Sequence, residues 1–197
     1  AERGGKKLFL ATPSGARPGW MGERYPETNV VEANDRSQSR RPWGGRQTHC
    51  LSSEYFRRKV CSINRKLAER YGKHPALAGW HVSNEYSTEC HCPRCLDRYH
   101  QFLKDRYQTL DNLNHHYWSS FWGHRFTSWR QIHPQDHAVN IAVLDWRRFV
   151  SSAIVDFFEM EIAAVREHSD LPVTTNMMGL YGGVDYWKLA KPCDFIA

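Results

Sequence analysis

Several features that define other classes of protein are missing from this sequence. No apolar run approaches the roughly 18 residues that a membrane-spanning helix needs. No glycine-rich phosphate loop follows any of the predicted strands, and there is no internal repeat or low-complexity tract. The sequence therefore predicts no membrane span, argues against a nucleotide-binding fold, and indicates an ordinary globular domain.

A concentrated basic patch is missing as well. Lys and Arg number 27 against 21 Asp and Glu, which gives a formal charge of +6, but they are scattered along the chain. The pairs Arg40-Arg41 and Arg147-Arg148 are short and typical of solvated faces. We therefore expect no nucleic-acid partner.

Cysteine is sparse and unevenly placed. An even count of six allows three disulfides, but a chain that is neither short nor rich in cysteine seldom depends on them. The clustering favours thiolates on a metal, with Cys61 and Cys193 as free buried thiols. This usage predicts a reducing compartment, the cytoplasm.

Apolar runs alternate with segments of helical periodicity. Strands are predicted at residues 7–12, 77–84, 172–177 and 193–197. Helices are predicted at 52–72, 96–107, 111–122, 146–164 and 185–190, and a long polar functional loop at 13–50. This order requires a parallel sheet with right-handed crossovers, and therefore the α/β class. Part of a (β/α)8 TIM barrel fits best, with an open doubly wound sheet as the alternative.

An amide and a carboxylic acid, Asn84 and Glu85, close the second predicted strand. In parallel α/β barrels the loops after the strands form the open mouth that holds the chemistry. A carboxylic acid in a partly dehydrated pocket has a raised pKa and can protonate a leaving oxygen. Glycoside hydrolysis uses two such groups. The alternative for Glu85 is a surface acid in an ordinary salt bridge.

Three thiols, Cys90, Cys92 and Cys95, follow within ten residues of Glu85. Cys50 is the best-placed fourth ligand, because loops after consecutive barrel strands meet at the same rim. Four thiolates around Zn²⁺ form a closed structural site, which leaves no open position for zinc-dependent hydrolysis. Disulfides or unligated thiols are the alternative. His91 is the alternative ligand, but we expect its side chain to point away from the thiols.

Two further residues are candidates for substrate contact. Arg46 lies four residues before Cys50, so a metal would hold it near the mouth; the alternative is a solvated loop arginine. Trp122 is either a core residue or a sugar-stacking platform, since aromatic faces suit the C–H-rich faces of pyranose rings. The scattered histidines are expected at the surface or in loops.

Taken together, these residues resemble the retaining β-galactosidases of glycoside hydrolase family 42. The resemblance extends over essentially all 197 residues, and Asn84-Glu85 followed by the cysteine cluster is its most specific part. Further matching stretches, in chain order, are Leu10-Ala11-Thr12-Pro13-Ser14, Gly44-Gly45-Arg46, Phe121-Trp122, Leu144-Asp145-Trp146 and Pro172-Val173-Thr174-Thr175-Asn176.

The resemblance implies a catalytic TIM barrel and a role for each residue. Glu85 would be the general acid/base, and Asn84 would hold the sugar beside it. Arg46 would contact the β-galactoside substrate, and Trp122 would help to wall the galactose pocket. The zinc ligands would be the four clustered cysteines, Cys50, Cys90, Cys92 and Cys95. The family also implies a homo-oligomeric parent protein, often a trimer.

The family's nucleophilic glutamate belongs to a later strand than any in this sequence. We therefore expect residues 1–197 to be a single fragment of the catalytic domain, incomplete at both ends and covering roughly the third to sixth strands. The sequence begins at Ala1 rather than Met, which fits a start further upstream. Alone, the fragment is expected to be inactive. The competing hypothesis is a non-catalytic, zinc-containing module that binds carbohydrate or protein.

Overall fold

Three parallel strands form the centre of the fold. A computed structural model describes residues 2–33, 40–41, 44–134, 140–179 and 181–197, without the side chains of Glu2 and Trp122. The strands are β1 (Leu8–Ala11), β2 (Leu77–His81) and β3 (Val173–Thr174), and they lie side by side in that order. Leu10 is opposite Trp80, and Trp80 is opposite Val173. The α/β class with a parallel sheet is as predicted.

Helices occupy most of the chain between the strands. The α-helices of the described residues are α1 (Gly19–Arg24), α2 (Glu54–Tyr71), α3 (Pro93–Tyr107), α4 (Leu110–Tyr117), α5 (Asn140–Arg166) and α6 (Tyr186–Ala190). Short 3₁₀ helices lie at Glu2–Gly4, Pro13–Gly15, Pro26–Thr28, Phe121–Gly123 and Trp129–Gln131. Within these described ranges, none of the helices has the length and apolar character to cross a bilayer.

The ends of α2 show how the local sequence sets a helix boundary. The Ser53 hydroxyl accepts a hydrogen bond from the Phe56 N–H at 3.3 Å, which satisfies one of the free donors of the first turn. At the other end, a Cβ on Gly72 would lie 2.5 Å from the Ala68 carbonyl oxygen and 2.6 Å from that of His168. Only glycine allows this close approach, and Gly72 is the C-cap at which the helix ends, as predicted.

The core lies between the sheet and the two longest helices. α2 packs against α5, and the apolar stripe predicted for the long helix is buried at Trp146, Phe149 and Phe157. Trp80 of β2 is fully buried beneath them, and its indole N–H donates to Ser169 Oγ at 2.9 Å. Burying these large apolar side chains supplies the main stabilisation of the fold.

The fourth predicted strand, at 193–197, does not form. The segment runs beside β3, and the Asp194 N–H donates to the Val173 carbonyl at 2.9 Å. However, the Asp194 carboxylate accepts the Val173 N–H at 2.7 Å. A side chain thus fills the position that a backbone carbonyl would occupy in a regular ladder, so no strand is established.

Other predicted boundaries also need correction. β2 ends at His81 rather than Asn84, because Ser83 has a φ of 58° and turns the chain out of the extended conformation. The predicted helix at 111–122 stops at Tyr117, since Trp118 adopts a left-handed conformation. The 13–50 segment contains α1, whose six residues are too few to give a periodic signal.

Candidate active site and metal site

The carboxyl ends of the three strands meet at one edge of the sheet. After β1, the Thr12 hydroxyl accepts a hydrogen bond from the Ser83 N–H at 2.8 Å. After β3, the side-chain carbonyl of Asn176 accepts one from the Glu85 N–H at 2.9 Å. Residues that follow both outer strands therefore fix the loop after β2, and Glu85 lies at the carboxyl edge of the sheet.

The backbone around Glu85 is strained. Five non-glycine residues in the described ranges have a positive φ, and Gln47 (54°), Ser83 (58°) and Glu85 (44°) are three of them. Such conformations cost on the order of 1 kcal/mol or more and persist only where neighbouring contacts impose them. Their concentration around one carboxylate marks this edge as a candidate functional site.

Arg46 contacts the acid directly. Its guanidinium forms an ion pair with the Glu85 carboxylate, and the two side chains are 63% and 26% exposed. The positive charge holds the carboxylate in one orientation while leaving guanidinium donors open to solvent. Asn84 is half-buried beside the acid, and its backbone carbonyl accepts a hydrogen bond from the Gln47 side-chain amide at 2.5 Å. The structure thus brings Arg46, Asn84 and Glu85 together.

Trp122 stays a prediction. Its backbone belongs to the 3₁₀ helix Phe121–Gly123, but its side chain lies outside the described part of the molecule.

The four clustered cysteines converge on one buried position. Cys50 precedes α2, Cys90 and Cys92 lie in the loop after β2, and Cys95 is in the first turn of α3. Their sulfur atoms all lie within 4.8 Å of one another. The Val31 N–H also points at Cys90 Sγ, at 3.4 Å. The predicted convergence of Cys50 with the later three cysteines is confirmed.

The spacing of the sulfur atoms suits a tetrahedral ion. Cys50 Sγ is 3.8 Å from Cys92 Sγ and 3.5 Å from Cys95 Sγ, and the last two are 3.7 Å apart. Four thiolates at about 2.3 Å from a central Zn²⁺ would have edges of about 3.8 Å. All six cysteines are free thiols rather than disulfides. The donor set therefore fits a structural zinc ion.

Hydrogen bonds among these thiols shift their pKa values in opposite directions. Hydrogen bonds, first from Cys50 and then from Cys90, lower the pKa of the Cys92 thiol, whereas the same contacts raise the pKa of Cys95. The pKa of the Cys90 thiol is lowered as well, and that of Cys50 is raised. Metals bind the thiolate form, so a divalent cation at this position would hold all four as thiolates.

His91 points away from the thiols, as expected. Its Nε2 lies 2.7 Å from a carboxylate oxygen of Glu89, and its ring packs against Trp146. The same oxygen of Glu89 accepts the Trp146 indole N–H at 2.5 Å. The hydrogen bond from His91 lowers the pKa of Glu89. Because Trp146 belongs to α5, the Glu89 carboxylate holds the loop between Glu85 and Cys90 against that helix.

One expectation about minor residues was wrong. Cys61 and Cys193 are half-buried rather than buried. His49 lies in a loop, as expected, but it is 1% exposed and packs on Phe56 with ring centroids 4.3 Å apart. Burial, followed by the charge of Arg17, lowers the pKa of His49 to about 3, so it is a neutral core residue.

Sequence reasoning did not assign a role to Gln47, Asn176 or Thr12. All three are polar residues at strand ends or in loops, and their contacts are to the backbone of the loop with Glu85. Asn176 follows β3 by two residues, so its place after a strand was the available signal. Gln47 lay within a long loop that gave no indication of its partners.

A buried carboxyl lies beneath this site. Glu161 of α5 is 0% exposed, and it accepts hydrogen bonds from the Tyr86 hydroxyl at 2.5 Å and the Asn64 side-chain amide at 3.0 Å. Burial raises the pKa of Glu161, although these hydrogen bonds act in the opposite direction. Tyr86 follows Glu85 in the chain, so Glu161 ties the acid loop to α5.

The raised pKa of Glu161 predicts a pH-dependent stability. A carboxyl whose folded-state pKa exceeds its unfolded value stabilises fully below the unfolded pKa and loses that contribution as pH rises through the folded pKa. Each unit of difference corresponds to about 1.4 kcal/mol. Because glutamine stays neutral, Glu161→Gln should flatten the decline in unfolding free energy that begins as pH rises above the ordinary glutamate pKa of about 4.3, measured by urea denaturation at a series of pH values. An identical decline in both proteins would contradict the assignment.

Comparison with known proteins identifies the family. A family model described as β-galactosidase, glycoside hydrolase family 42, matches residues 1–197. The chain belongs to this family. It is 48% identical over 198 residues to the β-galactosidase BglY of Alicyclobacillus acidocaldarius, and 45% identical over 208 residues to the β-galactosidase GanA of Bacillus subtilis. Each alignment covers 98% of this chain but only 28% and 30% of the relative, so the chain spans under a third of their length.

Solved structures of β-galactosidases superpose closely. A cold-adapted β-galactosidase from Rahnella sp. R3 matches 99% of this chain and 29% of its own, with a TM-score of 0.94 and 44% identity. Gan42B, a family 42 β-galactosidase from G. stearothermophilus, matches 99% of this chain and 30% of its own, with a TM-score of 0.93 and 46% identity. A catalytic mutant of Gan42B, with glutamate replaced by alanine, has also been solved.

Proposed function

We propose that this chain carries the general acid/base of a retaining β-galactosidase, and that Glu85 is that residue. The observation that supports this most directly is the placement of Glu85 at the carboxyl edge of the sheet, paired with Arg46 and held through its backbone by Asn176. Membership of a β-galactosidase family supports the substrate class, a terminal β-D-galactose residue. The same proposal gives Asn84 and Arg46 contacts to the sugar and Trp122 a place in the pocket wall.

Each residue has a defined task in the proposed reaction. Glu85 donates a proton to the glycosidic oxygen as a second carboxylate attacks the anomeric carbon and the bond to the leaving group breaks. Glu85, now a carboxylate, then takes a proton from water, whose oxygen displaces the second carboxylate and releases galactose with retained configuration. The Arg46 guanidinium offers enough donors to contact both the acid and a sugar hydroxyl.

The second carboxylate is proposed to come from a part of the longer protein outside this sequence. Retaining enzymes place their two carboxyl groups about 5 Å apart, facing the same bond. The chain spans under a third of its relatives, which leaves ample length for that residue. Accordingly, residues 1–197 alone are proposed to be inactive.

The chain is proposed to be part of a (β/α)8 barrel, roughly the region of its third to sixth strands, of which three are formed here as strands. The strand order is sequential, β1-β2-β3, and the two long crossover helices α2 and α5 pack together on one face. Because right-handed crossovers stay on one face when the strand order never reverses, this arrangement is that of a singly wound sheet. A doubly wound sheet would place helices on both faces.

The four cysteines are proposed to hold a structural Zn²⁺. Cys50, Cys90, Cys92 and Cys95 would supply four thiolates and close the coordination sphere, so the ion would fix loops rather than activate water. Free thiols at these positions are consistent with a reducing compartment, and we propose the cytoplasm. On the family resemblance alone, the proposal extends to a homotrimeric parent protein.

The stereochemistry of hydrolysis tests the proposal. The complete protein that contains this chain is expected to hydrolyse 4-nitrophenyl β-D-galactoside, and proton NMR at early times should show β-galactose before mutarotation produces the α-anomer. Initial release of α-galactose would indicate an inverting enzyme. No turnover of any β-galactoside would instead favour the non-catalytic zinc-containing module.

A further inference from the structure

Gln47 connects three separate segments at the active edge. Its backbone N–H donates to the Gly15 carbonyl at 2.8 Å, in the segment after β1. Its side-chain amide donates to the Asn84 carbonyl at 2.5 Å, and its own carbonyl accepts the Thr88 hydroxyl at 2.8 Å. One residue therefore fixes both ends of the short loop that contains Glu85.

Gln47 lies in the sequence between a residue of the candidate active site and a residue of the thiol cluster. It directly follows Arg46, which pairs with Glu85, and it precedes Cys50 by three residues. Thr88 in turn precedes Cys90 by two residues. The hydrogen bonds of Gln47 thus join the loop that carries the acid to the loop that enters the thiol cluster, at a point between the two sites.

The conformation of Gln47 indicates that this position is imposed. Its φ of 54° lies in the left-handed region, which is unfavourable for a residue with a side chain and favours glycine. The sequence nevertheless has glutamine at this position. The residue is half-buried, so its amide is partly removed from competing water. A strained backbone at a residue whose side-chain amide, backbone N–H and backbone carbonyl all have defined partners is typical of a residue held for its contacts.

We propose that Gln47 is a positioning residue for the general acid/base. It would hold residues 84–88 so that the Glu85 carboxylate stays in register with Arg46 and with the bond to be cleaved. The inference rests on the proposed function of Glu85, and it extends that function to a residue whose hydrogen bonds are to Gly15, Asn84 and Thr88. Misplacement of a catalytic group by about 1 Å can cost about 100-fold in rate.

The test uses Gln47→Met in the complete protein. Methionine matches the length of glutamine and meets the same backbone strain, but it cannot donate to the Asn84 carbonyl. We expect kcat on 4-nitrophenyl β-galactoside to fall by about 10- to 100-fold while KM changes by less than about 2-fold. Gln101→Met, which removes an exposed amide contact to Asp105 on α3, is the matched control and should keep the wild-type rate.

Two further readouts separate positioning from a general structural role. Bound zinc should be the same in Gln47→Met as in wild type, and amide hydrogen exchange should accelerate by about 10-fold in residues 83–88 but not in α2 or α5. A wild-type kcat in Gln47→Met, or loss of zinc from it, would overturn the inference. If the wild-type protein itself lacks galactosidase activity, the proposed function fails separately, and unchanged exchange in residues 83–88 would overturn the role of Gln47.

Discussion

Glu85→Gln is expected to lower kcat of the complete protein on 4-nitrophenyl β-galactoside by about 1,000-fold. Glutamine keeps the size of the side chain, and its backbone N–H can still donate to Asn176. It can neither supply a proton to the leaving oxygen nor accept one from water, so both chemical steps lose their acid/base. Initial rates measured across substrate concentration, with folding checked by circular dichroism, give the result.

Glu69→Gln is the matched control for this prediction. Glu69 is an exposed acid on α2, near the end of the helix farther from Glu54, and its replacement should leave kcat within about 2-fold of wild type. If Glu85→Gln also retained a rate within about 10-fold of wild type, Glu85 would not be the general acid/base.

Cys95→Ser is expected to remove the metal and destabilise the loops around the active edge. Wild type should hold about one zinc ion per chain at this site, and the variant close to none, because a hydroxyl is a poor zinc ligand. Loss of the ion should lower the thermal unfolding midpoint by about 10 °C. Elemental analysis by mass spectrometry and calorimetry measure the two effects.

Cys61→Ser provides the control, since Cys61 is a half-buried thiol on α2 outside the cluster. Its zinc content should match wild type and its unfolding midpoint should shift by only about 2 °C. A disulfide between any two of the four clustered cysteines in purified protein, or wild-type zinc content in Cys95→Ser, would contradict the metal site.

The sequence was sufficient for those parts of the site that chemistry restricts to a few residue types. Three thiols within six residues, with a fourth at the preceding loop, have few alternatives to a metal, and the four sulfur atoms do converge. Glu85 was predictable because an acid at the end of a parallel strand must lie at the rim of the sheet. The long helices followed from apolar periodicity, and α2 also from its capping serine.

The remaining features depend on contacts that local sequence does not encode. Gln47 and Asn176 act through hydrogen bonds to the backbone of a loop distant in sequence, and many polar loop residues could have done so. The segment 193–197, predicted as a strand, also differs because of a contact distant in sequence. Its apolar pattern is that of a strand, but the Asp194 carboxylate accepts the Val173 N–H. This hydrogen bond forms only in the folded chain, so the local sequence does not indicate it.

The most direct test of the central claim is the product formed by Glu85→Ala in the presence of azide, with 2,4-dinitrophenyl β-galactoside as substrate. This leaving group departs without acid assistance, so the second carboxylate can still form the galactosyl-enzyme, and azide can then attack in the space left by the missing side chain. If Glu85 is the acid/base, azide should restore turnover and NMR should identify β-galactosyl azide. Formation of α-galactosyl azide would show that Glu85 is the nucleophile, and the absence of any azide product or rate increase would remove it from the catalytic pair.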